Sequence, residues 1–552
     1  MTQISTSSPS ISSNWMIRTL ITHILGVLFI KVHTTVLATI PTIHDIRSNT
    51  TNVTTPLNEL LPFAGNLVTN TRQEDVNASS GRPDALQGSS NCFINNFIQG
   101  FGIDDTVLDN QTTLNIQADP SGAAGVDRLV AVVNAMIEVR SKDGRLTYRN
   151  GFKDFFSVLG TSQPNSTIVS PKVVYDEHAQ RFVVIVLQTD EKALSRFLLA
   201  VSKNERPDTV SDWYTVAINS AQIINGVNCY ADFPGLEVDE EAVYITANML
   251  TFLTDAPQGV RLWIVAKGVV GGIYSGGPPT VFGPYNPYQV GGIATTTMPA
   301  QVHGSGGAGT SIGTFLVSNS VSADGTVVVQ VFTVRNPLGI ASFSLNEFQL
   351  GRITQISIPN SPQPGSIFQI EANDGRTLDA VWRNNKLWMT FTINPRPPNI
   401  DAFQATSYWV RIDTTNGNLT LDAHDSLGGE AFSPTTSTSF PAVALNKQGQ
   451  IAFGYSASSS TMFAGAHGSI FSGTKELTFT VYSGLDSFFR DFGSIRNPWG
   501  EYSGISVDPV DDSFWIFNQF ADVRGSSRDR NGRWGTAWAR VFCTVATVCI
   551  AT

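Results

Sequence analysis

Charge is scarce in this chain. Charged residues make up 14% of 552, against roughly 25% in ordinary soluble domains, and Gly, Ser, Thr and Asn take their place. That makeup suits an extracellular β-protein that shows hydroxyls and amides to water. The remaining charge is acidic, a formal net −10, and no polybasic patch occurs. Nucleic acid and anionic membrane surfaces are therefore disfavoured as partners. Beyond the N-terminus no segment is apolar and long enough to cross a membrane as a helix. Familiar catalytic motifs are also missing: no Gly-x-Ser-x-Gly elbow, phosphate loop, HExxH or dinucleotide fingerprint. The seven His are scattered, with His178, His303 and His467 far apart and no pair at a metal-ligand spacing. The expected cofactor complement is none, with a structural Ca²⁺ as the one allowance and the metal itself unspecified.

Cysteine is sparse but even in number: Cys92, Cys229, Cys543 and Cys549. In an exported chain this predicts disulfides, with three connectivities open. Cys92 with Cys229 would tie the N-terminal stretch to the body, and Cys543 with Cys549 would close a terminal loop. The spacings match no zinc pattern.

What the chain does have is a recurring phrase. It reads Pro171-Lys-Val-Val-Tyr-Asp176, Pro234-Gly-Leu-Glu-Val-Asp239, Pro441-Ala-Val-Ala-Leu-Asn446 and Ser503-Gly-Ile-Ser-Val-Asp508. Weaker copies start at Asp379 and Pro299, so successive starts lie 63, 65, 80, 62 and 62 residues apart. Each phrase alternates apolar and other residues and ends in Asp or Asn, the pattern of a half-buried strand running into a tight turn. Runs rich in Val, Ile, Phe, Tyr and Trp follow each copy, for example Arg181–Val186, Lys386–Thr390 and Ser513–Phe517, and read as further strands.

Such a repeat predicts an all-β fold: a β-propeller of antiparallel three- to four-stranded blades. A blade before the clearest copies, at Arg128–Asn134 and Ala135–Val139, makes seven. A large β-sandwich is the alternative, but it does not call for a regular period. Because the period exceeds the roughly 40–50 residues of common propeller repeats, long loops are expected, notably Gly271–Gly292 and Ser456–Ser472.

The N-terminus reads as an export signal. Arg18 precedes the apolar run Leu20–Ile30, and small residues follow near Ala38, so residues 1–38 are assigned to a signal peptide, with a non-cleaved anchor as the alternative. Residues 39–120 are polar and aperiodic and are expected to be a partly disordered lead-in; residues 121–552 form the propeller. Sequons stand at Asn49, Asn52, Asn77, Asn110, Asn165 and Asn418. The expected location is secreted or cell-surface.

A site is sought where the first strands of the blades converge. Two residues before each phrase stand Asp232, Thr297, Thr377, Ser439 and Glu501, with Arg376, Arg496, Tyr230, Tyr502 and Trp499 flanking the same mouth. Carboxylates in a ring of hydroxyls suit a cation, sugar hydroxyls, or acid–base work. Equally, such polar residues serve to bond neighbouring blades. The phrase-ending Asp176, Asp239, Asn384, Asn446 and Asp508 are explained by turn chemistry, and Ser141–Gly144 and Ser322–Thr326 as hairpin turns.

Several of these stretches together resemble a broad family of secreted, mostly bacterial, seven-bladed β-propeller proteins of unassigned activity. They are Ser170–Phe182, Ala200–Lys203 with Asp212–Tyr214, Ala231–Asp239 with Val243–Thr246, and Trp499–Asp508 with Phe514–Trp515 and Trp534–Thr536. The match runs from about Val126 to Phe542. It departs at Glu501, where that family usually has Asp before Tyr-Ser. The resemblance implies a secreted propeller and transfers no catalytic residue.

The expected function is therefore an extracellular binding or adhesion module for glycan or another extracellular protein, using Asp232, Arg376, Glu501, Tyr502, Trp499 and Arg496. The rival is a glycoside hydrolase or polysaccharide lyase with Asp232 and Glu501 as acid and base; no activity is assigned outright.

Overall fold

In a computed structural model, the structure describes residues 90–107, 117–162, 166–190, 193–304, 312–472, 475–490, 497–525 and 532–545. Seven antiparallel sheets follow one another along it. Blade 1 comprises Ser121–Ala124, Arg128–Val133, Met136–Ser141 and Leu146–Gly151. Blade 2 comprises Thr167–Asp176, Arg181–Thr189, Ser195–Ser202 and Trp213–Asn219. Blade 3 comprises Val227–Val238, Ala242–Thr251, Pro257–Ala266 and Thr280–Tyr285, and the short Gln222–Ile224 pairs with its first strand. Blade 4 comprises Met298–Pro299, Ile312–Val321, Val327–Arg335 and Ser342–Gly351. Blade 5 comprises Asp379–Arg383, Lys386–Ile393, Thr406–Asp413 and Thr420–Leu427. Blade 6 comprises Ser437–Leu445, Ile451–Ser459, Met462–Ser472 and Lys475–Tyr482. Blade 7 comprises Gly504–Val507, Phe514–Asp522 and Arg533–Val545, with Ser90–Gly102 as its outermost strand.

The first strand of each blade packs beside that of the next, and blade 7 beside blade 1, so the ring closes. The expected propeller is therefore present, with four strands in five of the blades and a short fifth in blades 3 and 5, the latter being Gln301–Val302 paired parallel to the first strand, and the sandwich alternative falls. Hydroxyls seal the seams between blades. Ser121 Oγ accepts from Val173 N at 3.1 Å, Thr246 Oγ1 donates to Thr297 O at 2.6 Å, and Ser503 Oγ donates to Phe440 O at 2.6 Å. Each such bond satisfies a polar group that the packed interface would otherwise strand away from water.

The phrase-ending acids do turn work. Asp239 Oδ1 accepts from Glu241 N and Ala242 N at 2.8 and 2.7 Å, and Asp176 Oδ1 from His178 N at 3.0 Å. Asn446 Oδ1 accepts from Gln450 N at 2.9 Å and Asp508 Oδ1 from Val510 N at 2.9 Å, while Asn384 takes the left-handed backbone at φ 52°. Asp176 also bridges two blades, since its Oδ2 takes the Tyr274 hydroxyl at 2.8 Å and the Lys267 ammonium at 2.5 Å. The Ser141 and Ser322 turns close through Asp143 and Asp324 respectively.

Three expectations are corrected. Ser456–Ser472 is not a loop; it belongs to the second and third strands of blade 6. Its small residues serve close packing instead, since a Cβ on Gly468 would meet Phe453 O at 2.7 Å. Gly271–Gly292 contains the outer strand of blade 3 as well as turns. The lead-in boundary at 120 is too late, because Ser90–Gly102 pairs antiparallel with the last strand. That pairing also decides among the open cysteine connectivities. Cys92 lies opposite Cys543 with Cα atoms 3.9 Å apart, and the two are bridged, while Cys229 is a buried free thiol. The signal segment, Arg496, Cys549 and the sequons at Asn49, Asn52, Asn77, Asn110 and Asn165 lie outside the described residues. Asn418 is exposed in a turn between two outer strands of blade 5.

Ile98 and Phe101 of the outermost strand are buried, Phe93 stacks on Phe542 with centroids 5.4 Å apart, and Arg149 of blade 1 pairs with Asp105 just beyond it at 2.7 Å. The bridge holds a strand whose partner is 451 residues away, a span over which a cross-link removes much unfolded-state freedom. Replacing Cys92→Ser, or reducing the native chain, is expected to cost about 2–4 kcal/mol of stability. Thermal melts with and without reductant test this, and a variant melting like the native chain would contradict it.

Candidate functional site at the channel mouth

The segments that lead into the first strands gather at one mouth of the ring. Four of them share a device, a non-glycine residue of positive φ followed by proline: Asp119 (46°), Ser170 (55°), Phe233 (50°) and Phe440 (56°). Such backbone costs on the order of 1–3 kcal/mol each and persists only where the surroundings enforce it. Ser170, Phe233 and Phe440 lie inside the first strands of blades 2, 3 and 6 at shifts of register, where the kink bends the strand, while Asp119 precedes the first strand of blade 1.

Glu501 is half-buried at the centre of this mouth. Its Oε1 accepts from Asn373 Nδ2 at 2.7 Å and from Gln117 Nε2 at 3.5 Å. Its backbone N–H donates to Asp119 Oδ1 at 2.8 Å, and Asp119 Oδ2 accepts from Asn134 Nδ2 at 2.8 Å. Asp232 is half-buried nearby. Arg376 is gripped by Asp374 through Nε and Nη2, both at 2.7 Å, and lies 4.4 Å from the centre of the Phe233 ring. Phe233 meets Tyr502 edge-on at 5.1 Å, and the Lys172 ammonium sits 3.6 Å over the Tyr502 ring.

These contacts mix acids and cations in a poorly solvated space, and their proton affinities move accordingly. Burial pushes the Glu501 carboxyl up to about 8; Arg376 pulls against this, while the Asp119 and Asp232 charges add to it. Asp232 and Asp119 are also raised, burial leading in both. Burial works against the Arg376 charge, but the Asp374 bonds and the Glu501 and Asp232 carboxylates outweigh it and hold the guanidinium firmly protonated. Tyr502 is pushed well up by burial and by the surrounding carboxylates.

Of the residues expected from sequence, Asp232, Glu501, Arg376 and Tyr502 do meet here. Trp499 does not offer a ring to the mouth: it is buried, edge-on to Phe488 at 5.0 Å, and its Nε1 donates to Ser456 Oγ at 3.1 Å. Tyr230 bonds Asp255 through its hydroxyl at 2.9 Å. Thr297, Thr377 and Ser439 are buried; Thr297 bonds the Tyr288 hydroxyl and Thr377 bonds Asn319, each at 2.7 Å, so those two hydroxyls tie structure together. Asp119, Asn373, Asp374 and Lys172 were missed. Asp119-Pro120 carried a usable signal, since Pro120 opens its stretch as Pro234 opens the phrase to Asp239. So did Lys172, a charge where other copies of the phrase have Gly or Ala.

No family model and no curated relative matches the chain. Among solved structures it is similar to a Dyadobacter fermentans protein of unknown function, at 10% identity over 68% of this chain and 95% of that one, with a TM-score of 0.34. A Trypanosoma rangeli sialidase shows 11% identity over 82% and 60%, at 0.33. A GH43 endo-arabinanase from Bacillus licheniformis shows 9% over 69% and 96%, at 0.25. Likeness at this level carries no argument about function; the seven blades rest on this chain's own strand pairing.

A pH effect follows from Glu501. Between the ordinary 4.5 and about 8, the folded chain keeps a proton that the unfolded chain has released. Stability attributable to this group is therefore fullest at acid pH and falls as pH rises through that window. Glu501→Gln is expected to flatten the decline in melting temperature between about pH 5 and pH 8. An unchanged slope would place the raised proton affinity elsewhere.

Proposed function

We propose that this protein is an extracellular binding module that takes a polyhydroxylated ligand, a glycan or the glycan of an extracellular protein, at the channel mouth. The observation that carries the reading is the convergence there of half-buried Glu501 and Asp232 with the clamped Arg376, delivered from separate blades on a closed scaffold. Carboxylates and guanidinium groups held in place are suited to paired hydroxyls, and each charge-assisted bond contributes roughly 1.5–3 kcal/mol. With Trp499 and Tyr502 buried, recognition rests on hydrogen bonds rather than ring stacking. The Cys92–Cys543 bridge fits an oxidising compartment.

One observation favours the rival, a glycan-cleaving enzyme: Glu501, pushed up to about 8, retains a proton at neutral pH beside another carboxyl, as a general acid must. The two readings part in one experiment. As a binding module, the native chain retains glycans on an array and turns over none of a panel of neutral and acidic polysaccharides. Glu501→Gln, which keeps a hydrogen-bond donor, then binds nearly as well. Asp232→Ala and Glu501→Ala each weaken binding about tenfold, the equivalent of about 1.4 kcal/mol. Turnover by the native chain that vanishes in Glu501→Gln would replace this reading with the enzyme, and binding unaffected by either alanine variant would move the site elsewhere.

A further inference from the structure

Below the mouth the axis of the ring holds a narrow cavity of about 50 Å³, lined by first strands of all seven blades, among them Lys172, Glu237, Gln301 and Asp379. Its polar groups differ in how well they are satisfied. The lining serines are engaged: Ser121 with Val173 N, Ser506 with Ala124 N, and Ser503 with Phe440 O. Asp379 accepts from Ala380 N at 3.0 Å and, across a blade seam, from Val443 N at 2.8 Å. Glu237 stands apart. Only 8% of it is exposed, and its Oε2 is buried without a hydrogen-bond partner. Among the described residues no carboxylate lies within ion-pairing distance of Lys172, whose ammonium sits instead over the Tyr502 ring. Native proteins rarely leave a buried carboxyl oxygen without a partner, and the Lys172 charge that acts on both acids is held over the Tyr502 ring rather than paired with either.

We propose that this axial cavity is a cation site in which Glu237 and Asp379 bind a hard divalent ion of the Ca²⁺ class together with retained water. The chemistry of the lining selects that class. Besides Lys172 and Met298 it offers carboxylate, amide and hydroxyl oxygens and no thiol or imidazole, and hard cations prefer oxygen. The volume admits roughly three or four water-sized occupants at about 10–15 Å³ each, enough for an ion with part of its hydration shell. The site's ligand residues are distinct from those of the mouth, and the proposal does not rest on what the mouth binds.

The test uses the full-length chain, stripped with chelator and then titrated with CaCl₂, MgCl₂ or MnCl₂ while melting temperature and binding heat are recorded. Calcium is expected to raise the melting temperature and to bind with saturable heat near one ion per chain. Glu237→Gln is expected to melt at or above the metal-free native chain, because an unpartnered acid is gone, and to lose the calcium response. Asp379→Asn weakens binding about tenfold or more, and serves alone if Glu237→Gln does not fold. Glu501→Gln leaves the response intact. The proposal is overturned if no divalent ion shifts the native melt, or if the response survives in Glu237→Gln or Asp379→Asn. It is equally overturned if Glu501→Gln abolishes the response, which would place the ion at the mouth.

Discussion

Everything in this molecule depends on the seam where the last blade meets the first. A propeller blade buries each of its faces against a neighbour, so an open ring would leave two broad apolar faces in water at once. At the seam, Trp538 and Phe517 of blade 7 press on Gly122 of blade 1, where a Cβ would meet the Trp538 ring at 2.6 Å. Any larger residue there would hold the two blades apart. The outermost strand, Ser90–Gly102, adds the second half of the closure, since it is early in the chain and completes the last sheet. Bringing these strands together is the most non-local pairing among the described residues, and its entropic cost is reduced by the covalent bridge at that strand pair.

Closure also decides the electrostatics. Once the ring is shut, the first strands and the segments leading into them face one another across a space too narrow for bulk water. Charges that would be unremarkable on a surface then share a low-dielectric column. Acids outnumber cations in it: Asp119, Asp232 and Glu501 at the mouth, Glu237 and Asp379 below, against Lys172 and an Arg376 already neutralised by Asp374. In such a column the excess is relieved by holding protons or binding cations, because two cations cannot balance the acids. The upward shifts of Glu501 and Asp379 are the protonic half of that answer.

Much of the fold could be read from sequence because its signals are local. The phrase beginning at Pro171 or Pro234 carries its own alternation, its own kink and its own turn acid, and each does in the structure what its residues dictate nearby. What escaped was decided at a distance. Ser90–Gly102 reads as polar lead-in because the strand that completes its pattern lies at the other end of the chain. Ser456–Ser472 reads as loop because the Gly and Ser there answer to the close approach of neighbouring strands, as Gly468 does to Phe453 O and the Phe479 ring, rather than to their own local sequence. The cysteine pairing stayed open for the same reason. At the mouth, Asp232, Glu501 and Arg376 were found through the register of the repeat, whereas Asn373 and Asp374 come from a long connection outside it.

Lys172 joins the two halves of the axis. Its ammonium charge is disfavoured chiefly by burial and sustained by Asp379 and Glu237 below and by Asp119 and Glu501 above. A single cation sustained from both directions is a shared counter-charge. Neutralising the lower acids with a metal ion removes part of what keeps Lys172 protonated, and a weaker Lys172 charge in turn gives less support to Asp119 and Glu501 in their ionised forms. The mouth and the cavity are therefore distinct in their residues but not independent in their proton balance. The physical route between them is one side chain lying over the Tyr502 ring.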